Sequence, residues 1–218
     1  MSKSVTIIDY GSGNLRSVAK AFERSVAESG SGTRVVVTSD VKQVQVADRI
    51  VLPGVGAFGD CMAGLSGIDG MIETLNEAVI KGGRPFIGIC VGMQLLASEG
   101  HEYGIHKGLG WIPGRVEIIK PLDASLKVPH MGWNTLKVSH DHAVFEGLAT
   151  EGSDPHVYFV HSNHYVTENT LHRLAVTEYG SEITAVIGRD NILGTQFHPE
   201  KSQASGLKLI SNFLKWNP

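Results

Sequence analysis

The stretch Arg84-Pro85-Phe86-Ile87-Gly88-Ile89-Cys90-Val91-Gly92-Met93-Gln94 decides the fold class of this 218-residue chain. It passes from a short apolar run, typical of a buried strand, through a cysteine with glycines nearby into a helix-like run. The pattern Gly88-x-Cys90-x-Gly92 is that of a nucleophile elbow, a sharp strand-to-helix turn that exposes a reactive side chain. Glycine suits both positions because backbone segments approach each other closely in so tight a turn.

Cys90 is therefore a candidate nucleophile. At the N-terminus of a helix, unsatisfied backbone N–H groups favour the thiolate over the thiol. The alternative is a structural cysteine buried in a strand. The second cysteine, Cys61, lacks both a preceding apolar strand and adjacent glycines, so we interpret it as a small buried hydrophobe.

A base for this thiol is found far downstream, in Gly194-Thr195-Gln196-Phe197-His198-Pro199-Glu200. If this segment ends a strand, His198 and Glu200 point to the same face, because side chains two positions apart do so in an extended chain. A nucleophilic cysteine needs a base, and the base needs an acceptor that holds its tautomer. We predict Cys90 as nucleophile, His198 as base and Glu200 as its orienting group. An ordinary surface turn is the alternative for this segment.

A third motif, Val51-Leu52-Pro53-Gly54-Val55-Gly56-Ala57-Phe58, runs from an apolar strand into a Pro-Gly-x-Gly loop. Such a loop can direct backbone N–H groups at the oxygen that becomes negative during acyl transfer, and one such donor contributes about 3–4 kcal/mol to catalysis. The N–H groups of Val55 and Val91 are the predicted oxyanion donors. A plain turn remains the alternative.

The remaining sequence predicts an α/β fold. Strand patterns are found at residues 5–9, 34–38, 49–52, 85–89, 115–119, 136–139, 156–160, 173–179, 183–189 and 192–196, with a hairpin turn at Asp190-Asn191. The strands at 34–38 and 49–52 are predicted to be buried. Helix patterns follow Asn14, a predicted N-cap, span residues 71–81 and close the chain at 206–216. In the last helix, Leu207, Ile210, Phe213 and Leu214 are predicted to face the core. This order favours an open, mostly parallel sheet flanked by helices, with additional antiparallel strands in the second half. We expect one domain over residues 1–218.

Composition excludes several classes of function. The net charge of −3 and the pI near 6.4 give no basic surface for nucleic acid. No run reaches the ~20 apolar residues that a membrane span requires. Two cysteines give no disulfide framework. Since a working thiol needs a reducing compartment, we expect a cytoplasmic protein.

Two weaker motifs predict no further site. Gly11-Ser12-Gly13 follows the first strand, but Arg16 stands where a dinucleotide-binding fingerprint needs a third glycine or alanine. Histidines 140, 142, 161 and 164 lack the partners and spacing of a metal site, so no metal is predicted.

Together, the motifs resemble the class I, triad-type glutamine amidotransferases. Within that family, the similarity is closest to the glutaminase subunits of imidazole glycerol phosphate synthase, and it covers essentially the whole chain. The narrower resemblance rests on Asp9-Tyr10-Gly11-Ser12-Gly13-Asn14, Leu52-Pro53-Gly54-Val55-Gly56-Ala57-Phe58, Pro129-His130-Met131-Gly132-Trp133-Asn134 and His198-Pro199-Glu200-Lys201-Ser202.

The resemblance implies a flavodoxin-like fold and hydrolysis of L-glutamine through a γ-glutamyl thioester on Cys90, without a cofactor. It also implies that ammonia passes to a (βα)8-barrel cyclase subunit in a heterodimer. That partner would make imidazole glycerol phosphate and aminoimidazole carboxamide ribonucleotide for histidine biosynthesis.

The resemblance further implies which residues contact the substrate and the partner. Gln94 lies one helical turn after Cys90, so its amide can face the same site. The chain departs from the family at Asn163-His164-Tyr165, where aromatic residues are typical. The implied substrate contacts are Gly54, Val55, Gly56, Val91, Gln94, Ser162 and Asn163. The implied interface residues are Asn14, Met131, Trp133, Asn134 and Lys201; without the resemblance, Met131 and Trp133 would be interpreted as core residues.

Three other functions remain open. A glutaminase subunit of pyridoxal 5′-phosphate synthase shares the triad, but its Gly-Gly-Glu-Ser loop has no counterpart here. A stand-alone cysteine hydrolase of related fold would act without a partner. A non-catalytic binding module would not require the triad.

Overall fold

The structure, a computed structural model, describes residues 3–148 and 154–218. The strands within those ranges are β1 (Ser4–Ile8), β2 (Arg34–Thr38), β3 (Arg49–Gly54), β4 (Phe86–Cys90), β5 (Glu99–Gly100), β6 (His106–Lys107), β7 (Gly114–Ile118), β8 (His130–Thr135), β9 (Lys137–Val138), β10 (His156–His161), β11 (Asn163–Thr167), β12 (Arg173–Glu178), β13 (Glu182–Arg189) and β14 (Ile192–Thr195). The helices are α1 (Leu15–Ser29), α2 (Val41–Gln45), α3 (Phe58–Ser66), α4 (Met71–Leu75), α5 (Val91–Gln94) and α6 (Gln203–Lys215). A π-helical stretch, Asn76–Lys81, continues α4.

Within the described ranges, the central sheet has eight strands in the order β2-β1-β3-β4-β14-β13-β12-β9. Neighbours from β2 to β14 run parallel, and β13, β12 and β9 continue the sheet antiparallel. Strands β1, β3 and β4 are buried along their whole length. Their apolar runs lack alternation because both faces of the sheet are covered by other parts of the chain. The predicted α/β fold, with its largely parallel sheet, is confirmed.

The predicted burial of the strand at residues 34–38 is wrong. Strand β2 has its predicted bounds, but its residues are exposed or half-buried. It forms the edge of the sheet and pairs with β1 alone. An apolar run such as Val35-Val36-Val37 does not by itself distinguish an edge strand from a central one.

The second half adds two smaller sheets. Strand β8 pairs with β10, and a further sheet has the order β11-β7-β5-β6. The predicted hairpin at Asp190-Asn191 is confirmed, because β13 and β14 pair antiparallel around it. The strand predicted at residues 136–139 shrinks to the two residues of β9, while β8 was not predicted at all. Pro129 precedes β8 and Gly132, with φ 140°, lies within it. Because both residue types are typical of loops, the sequence pattern does not indicate this strand.

Two predicted helix features also change. Asn14 precedes α1, but its side chain makes no capping hydrogen bond; its backbone carbonyl instead accepts from Ser17 N and Val18 N. Helix α6 begins at Gln203, before the predicted start. Its buried face includes Leu209, Ile210 and Phe213, whereas the predicted core residues Leu207 and Leu214 are only partly buried.

The described residues hold no helix with the length and apolar character needed to cross a membrane. Across the same two ranges, no group of three or more histidine, cysteine, aspartate or glutamate side chains is arranged to hold a metal ion.

Candidate active site

The turn between β4 and α5 has the geometry of a nucleophile elbow. Cys90 sits at the turn with φ 55° and ψ −113°, a backbone conformation that costs about 1–3 kcal/mol for a residue with a side chain. The flanking glycines permit it. A Cβ on Gly88 would lie 2.4 Å from the Gly92 carbonyl oxygen, and a Cβ on Gly92 would lie 1.8 Å from the Leu52 carbonyl oxygen. No other residue fits at either position.

His198 and Glu200 lie just beyond β14, the parallel neighbour of β4. Because parallel strands end at the same edge of the sheet, this pairing brings the histidine to the cysteine. His198 Nδ1 is 2.8 Å from Glu200 Oε1, and both side chains are almost completely buried. A carboxylate only accepts hydrogen bonds, so Nδ1 carries the hydrogen and Nε2 remains available for chemistry.

The same neighbours control the charge of His198. Burial opposes protonation of the ring, but hydrogen bonds to Cys90 and Glu200, together with their negative charges, outweigh it and raise the pKa of His198 to about 9. At neutral pH the ring is therefore protonated. A protonated imidazole beside the sulfur stabilises a thiolate.

Ser202 holds the histidine's backbone in place, a role that the sequence patterns did not indicate. Its hydroxyl donates to the His198 carbonyl oxygen at 2.7 Å and accepts from Tyr158 N at 3.0 Å. The His198 N–H in turn donates to the Tyr158 carbonyl oxygen. These bonds tie the turn after β14 to β10.

A cavity of about 320 Å³ opens onto Cys90 and His198. The elbow pattern predicts an exposed side chain, but Cys90 is only 4% exposed. Its sulfur is therefore reached through this cavity and not from an open surface. The lining residues are Val55, Gly56, Cys90, Val91, Gln94, Glu102, Pro129, Val160, His161, Ser162, Asn163, His198 and Lys201. Most implied substrate contacts thus line the same cavity as Cys90.

Gly54 is an exception among those contacts. It does not line the cavity but packs beneath the elbow, where a Cβ would lie 2.6 Å from Gly92 N and 2.8 Å from the Tyr10 hydroxyl. Tyr10 donates to the Pro53 carbonyl oxygen at 2.7 Å. Gly54 therefore allows the loop and the elbow to approach each other.

The predicted oxyanion loop is held by a serine. Val55 N–H donates to Ser12 Oγ at 3.3 Å, and Ser12 Oγ is 2.5 Å from the Val55 carbonyl oxygen. The N–H group of Val55 is therefore already used in this conformation. Buried Cys61 also approaches, with its sulfur 3.2 Å from Ser12 Oγ, and burial raises the pKa of the Cys61 thiol. Gly11-Ser12-Gly13 contributes to the family resemblance, but the sequence patterns assign Ser12 no role of its own.

Gln94 lines the cavity as predicted, but its amide hydrogens are taken. Its Nε2 donates to the Asn163 carbonyl oxygen at 3.2 Å and to Gln196 Oε1 at 3.0 Å. The side-chain oxygen of Gln94, Oε1, remains available to accept a hydrogen bond from a ligand. Gln196, which the sequence patterns did not single out, is itself fully buried.

Glu102 is an acidic residue of the cavity that was also missed. Its Oε2 accepts from the Phe58 N–H at 2.7 Å, at the start of α3. Glu102 lies in a loop between short strands, where nothing in the local sequence pattern indicates a site.

The implied interface residues occupy separate elements. Met131 and Trp133 lie on β8 and are 66% and 48% exposed, so the alternative prediction of core residues is wrong. Asn134 ends the same strand, where its Nδ2 donates to the Glu178 carbonyl oxygen at 2.8 Å. Lys201 is at the cavity rim, and Asn14 stands at the start of α1.

Comparison with known proteins shows which family the chain belongs to. The class-I glutamine amidotransferase family matches residues 6–216. The chain is 60% identical to imidazole glycerol phosphate synthase subunit HisH of Rhodospirillum rubrum, over 98% of this chain and 99% of that protein. It is 56% identical to the protein of the same name in Brucella abortus, over 98% and 99% of the two chains.

Solved structures show the same fold at low identity. A structure of PurLQS from Thermotoga maritima has a TM-score of 0.71 at 20% identity and covers 99% of both chains. A structure described as a glutamine amidotransferase has a TM-score of 0.71 at 19% identity over 97% of both. From the family match and the full-length relatives, this chain belongs to the class-I glutamine amidotransferase family.

Proposed function

We propose that the chain is the glutaminase subunit of an imidazole glycerol phosphate synthase, with residues 1–218 working as one domain. The observation that carries the proposal is the placement of Cys90 and His198 in one cavity, with His198 bonded to the buried Glu200. The full-length relatives named as subunit HisH of that synthase support this particular assignment.

The first half-reaction uses the protonated His198. The Cys90 thiolate attacks the side-chain amide carbon of glutamine, forming the S–C bond and moving an electron pair onto the amide oxygen. When the tetrahedral intermediate collapses, the C–N bond breaks and His198 gives its proton to the departing nitrogen, which leaves as ammonia. Glu200 keeps Nδ1 protonated and the ring oriented.

The second half-reaction uses the now neutral His198 as a base. It takes a proton from water as the water oxygen attacks the γ-glutamyl thioester. Collapse breaks the C–S bond, so glutamate leaves and the thiolate and the protonated ring are restored. Val91 N–H stabilises both oxyanions, and Val55 N–H adds to it once its bond to Ser12 is released.

The cavity suits a small zwitterion. Its volume of about 320 Å³ is at the lower end of the range for small-molecule sites. Glu102 would attract the α-ammonium group of glutamine, while Gly56, Ser162 and Asn163 would supply backbone contacts along the wall. The oxygen of Gln94 would accept a hydrogen bond from the substrate.

The ammonia acceptor would lie on a second polypeptide, because the relatives that support the assignment are themselves named as subunits of the synthase. We propose a (βα)8-barrel cyclase that converts this ammonia into imidazole glycerol phosphate. Exposed Met131 and Trp133 would anchor it, since large side chains supply most interface energy. Asn14, Asn134 and Lys201 would complete the contact in a cytoplasmic heterodimer.

The test compares glutamine and ammonium as nitrogen sources for synthesis by the chain with its copurified cyclase. We expect Cys90→Ala to lose synthesis from glutamine and to retain synthesis from ammonium. Cys61→Ala removes the other thiol and should retain both. Equal loss from both sources in Cys90→Ala would contradict the proposal. Rapid glutamine hydrolysis by the chain alone, unchanged by cyclase, would favour a stand-alone hydrolase.

A further inference from the structure

A second carboxamide lies directly against the nucleophile. The Nε2 atom of Gln196 is 3.8 Å from Cys90 Sγ, within hydrogen-bonding range of a sulfur acceptor. Gln196 has no exposed surface and is absent from the cavity lining. It therefore approaches the sulfur from the protein side, away from the substrate, and the reaction sequence above assigns it no task.

The orientation of this amide follows from one backbone carbonyl. The Asn163 carbonyl oxygen can only accept, so the Gln94 atom 3.2 Å away must be the amide nitrogen. The other hydrogen of that nitrogen then points to Gln196, 3.0 Å away, which must present its oxygen. Gln196 is left with its NH₂ group facing the Cys90 sulfur.

The chain of bonds is anchored at both ends. The Asn163 carbonyl oxygen also accepts from His161 Nδ1 at 2.8 Å, and Asn163 begins strand β11. The Gln196 backbone N–H donates to the Ala185 carbonyl oxygen on β13 at 2.8 Å. With its backbone fixed by the sheet and its oxygen fixed by Gln94, the Gln196 amide has little freedom to turn away.

We propose that Gln196 is a positioning residue for the nucleophile: its amide N–H donates to the Cys90 thiolate and holds the sulfur facing His198. The inference rests on the proposed function and extends it. A hydrogen bond to an ionised acceptor is about twice as strong as one between neutral groups. A donor fixed before the reaction also needs no reorganisation when the thiolate forms again. In this arrangement Gln94 serves chiefly to orient Gln196.

The primary test measures alkylation of Cys90 by iodoacetamide against pH, in the full chain, with mass spectrometry to separate Cys90 from Cys61. Gln196→Met keeps the side-chain volume but lacks the donor. We expect the midpoint of its pH–rate profile to rise by about one pH unit, the size of a charge-assisted bond, so that the Cys90 alkylation rate falls about tenfold at pH values below both midpoints.

A second variant separates sulfur binding from packing. Gln196→Glu preserves the shape and still offers Gln94 an oxygen, but it places an oxygen against the sulfur. Donation to sulfur predicts a larger upward shift for Gln196→Glu than for Gln196→Met. A purely structural role predicts lower thermal stability with an unchanged alkylation midpoint in Gln196→Met, whose side chain adds no charge beside the sulfur.

Steady-state kinetics with the cyclase add an independent readout. Because Gln196 does not touch the cavity, kcat should fall about tenfold, in line with the lost charge-assisted bond, while KM stays within about twofold. Asn212→Ala is the matched control, since it removes a buried carboxamide that donates to the Val144 and Glu146 carbonyls. It should lower thermal stability without moving the alkylation profile.

An unchanged alkylation midpoint in folded Gln196→Met overturns the inference and leaves the glutaminase proposal intact. If Gln196→Met does not fold, Gln94→Met tests the same series of hydrogen bonds, because it removes the donor that holds the Gln196 oxygen. A smaller upward shift of the alkylation midpoint supports the inference, and no shift overturns it. Conversely, a wild-type complex without glutamine hydrolysis, combined with shifted profiles in the variants, would refute only the proposed function.

Discussion

His198 and His161 line the same cavity, and both are almost completely buried, yet their pKa values move in opposite directions. Burial lowers the pKa of His161 to about 3, although its bond to the Asn163 carbonyl partly opposes this. His198 meets the same penalty, but its bonds to Cys90 and Glu200 raise its pKa to about 9. Burial alone therefore does not set the charge of a histidine; an anionic partner decides it.

His161 contacts a second histidine, His130, which is stacked between the rings of Phe159 and Tyr179. Since His161 Nδ1 donates to a carbonyl, its Nε2 must accept, and His130 Nδ1 donates to it at 3.1 Å. His130 Nε2 then accepts from Asn134 Nδ2 at 3.3 Å. Every ring nitrogen is satisfied in the neutral form. Burial lowers the pKa of His130 to about 4.

The largest expected difference between the two histidines is in catalysis. His198→Asn should reduce glutamine-dependent synthesis by at least about 10³-fold, because the base and acid of both half-reactions are lost. His161→Gln should cost about tenfold or less, since it perturbs only the cavity wall. Ammonium-dependent synthesis should survive in both. Equal losses in the two variants would contradict the assignment of His198 as the acid and base and of His161 as a neutral lining residue.

A smaller effect is expected when Glu200 loses its charge. Glu200→Gln keeps an oxygen that can accept from Nδ1 but removes the anion, so the pKa of His198 should fall from about 9. We expect glutamine-dependent activity to fall about 10²-fold, within the range for perturbing a general acid–base group. NMR titration of the ring gives the pKa directly. An unchanged titration would mean that Cys90 alone sustains the charge of His198.

The neutral pair should weaken the fold in acid. His161 and His130 stay neutral in the folded chain below pH 6.5, whereas the unfolded chain protonates both there. The unfolded state then binds more protons, so the free energy of unfolding decreases as the pH is lowered. The decrease is about 1.4 kcal/mol per pH unit for each histidine, until the pH approaches the pKa values of the folded state. Urea unfolding at a series of pH values measures this slope. His161→Gln should lower the slope by about 1.4 kcal/mol per pH unit.

The control for that slope is His140→Gln, which changes an exposed histidine and should leave it unaltered. The sign reverses for His198. Because its pKa is raised on folding, its contribution to stability is complete below pH 6.5 and is lost as pH rises through about 9. A His161→Gln slope equal to that of the wild type would show that the pair protonates without unfolding.

The smallest effect is expected at Asn134, the last residue in the hydrogen-bonded series that runs from His161 through His130. Asn134→Ala removes the N–H that donates to His130 Nε2, a bond that only the neutral ring can accept. The pKa of His130 should therefore rise from about 4. NMR titration of His130 makes the measurement. A fall in its pKa would contradict the assigned tautomers.

Local sequence determined the fold class, the elbow and the triad candidates of this protein. Gly88 and Gly92 mark the elbow because no side chain fits at either place, and His198 and Glu200 share a face because extended residues alternate. The central strands are visible as apolar runs because both sheet faces are covered. Each of these signals spans a few neighbouring residues, and covalent geometry is sufficient to interpret it.

Only the tertiary structure decided how the candidates are connected. Ser12 holding Val55, Glu102 entering the cavity and Gln196 facing the Cys90 sulfur all depend on residues brought together from distant parts of the chain, and no local period records such contacts. Strand β8 was hidden for the same reason, since its pairing with β10 overrides its glycine. The charge of His198 was equally undetermined, because the balance between burial and anionic partners exists only in the folded molecule.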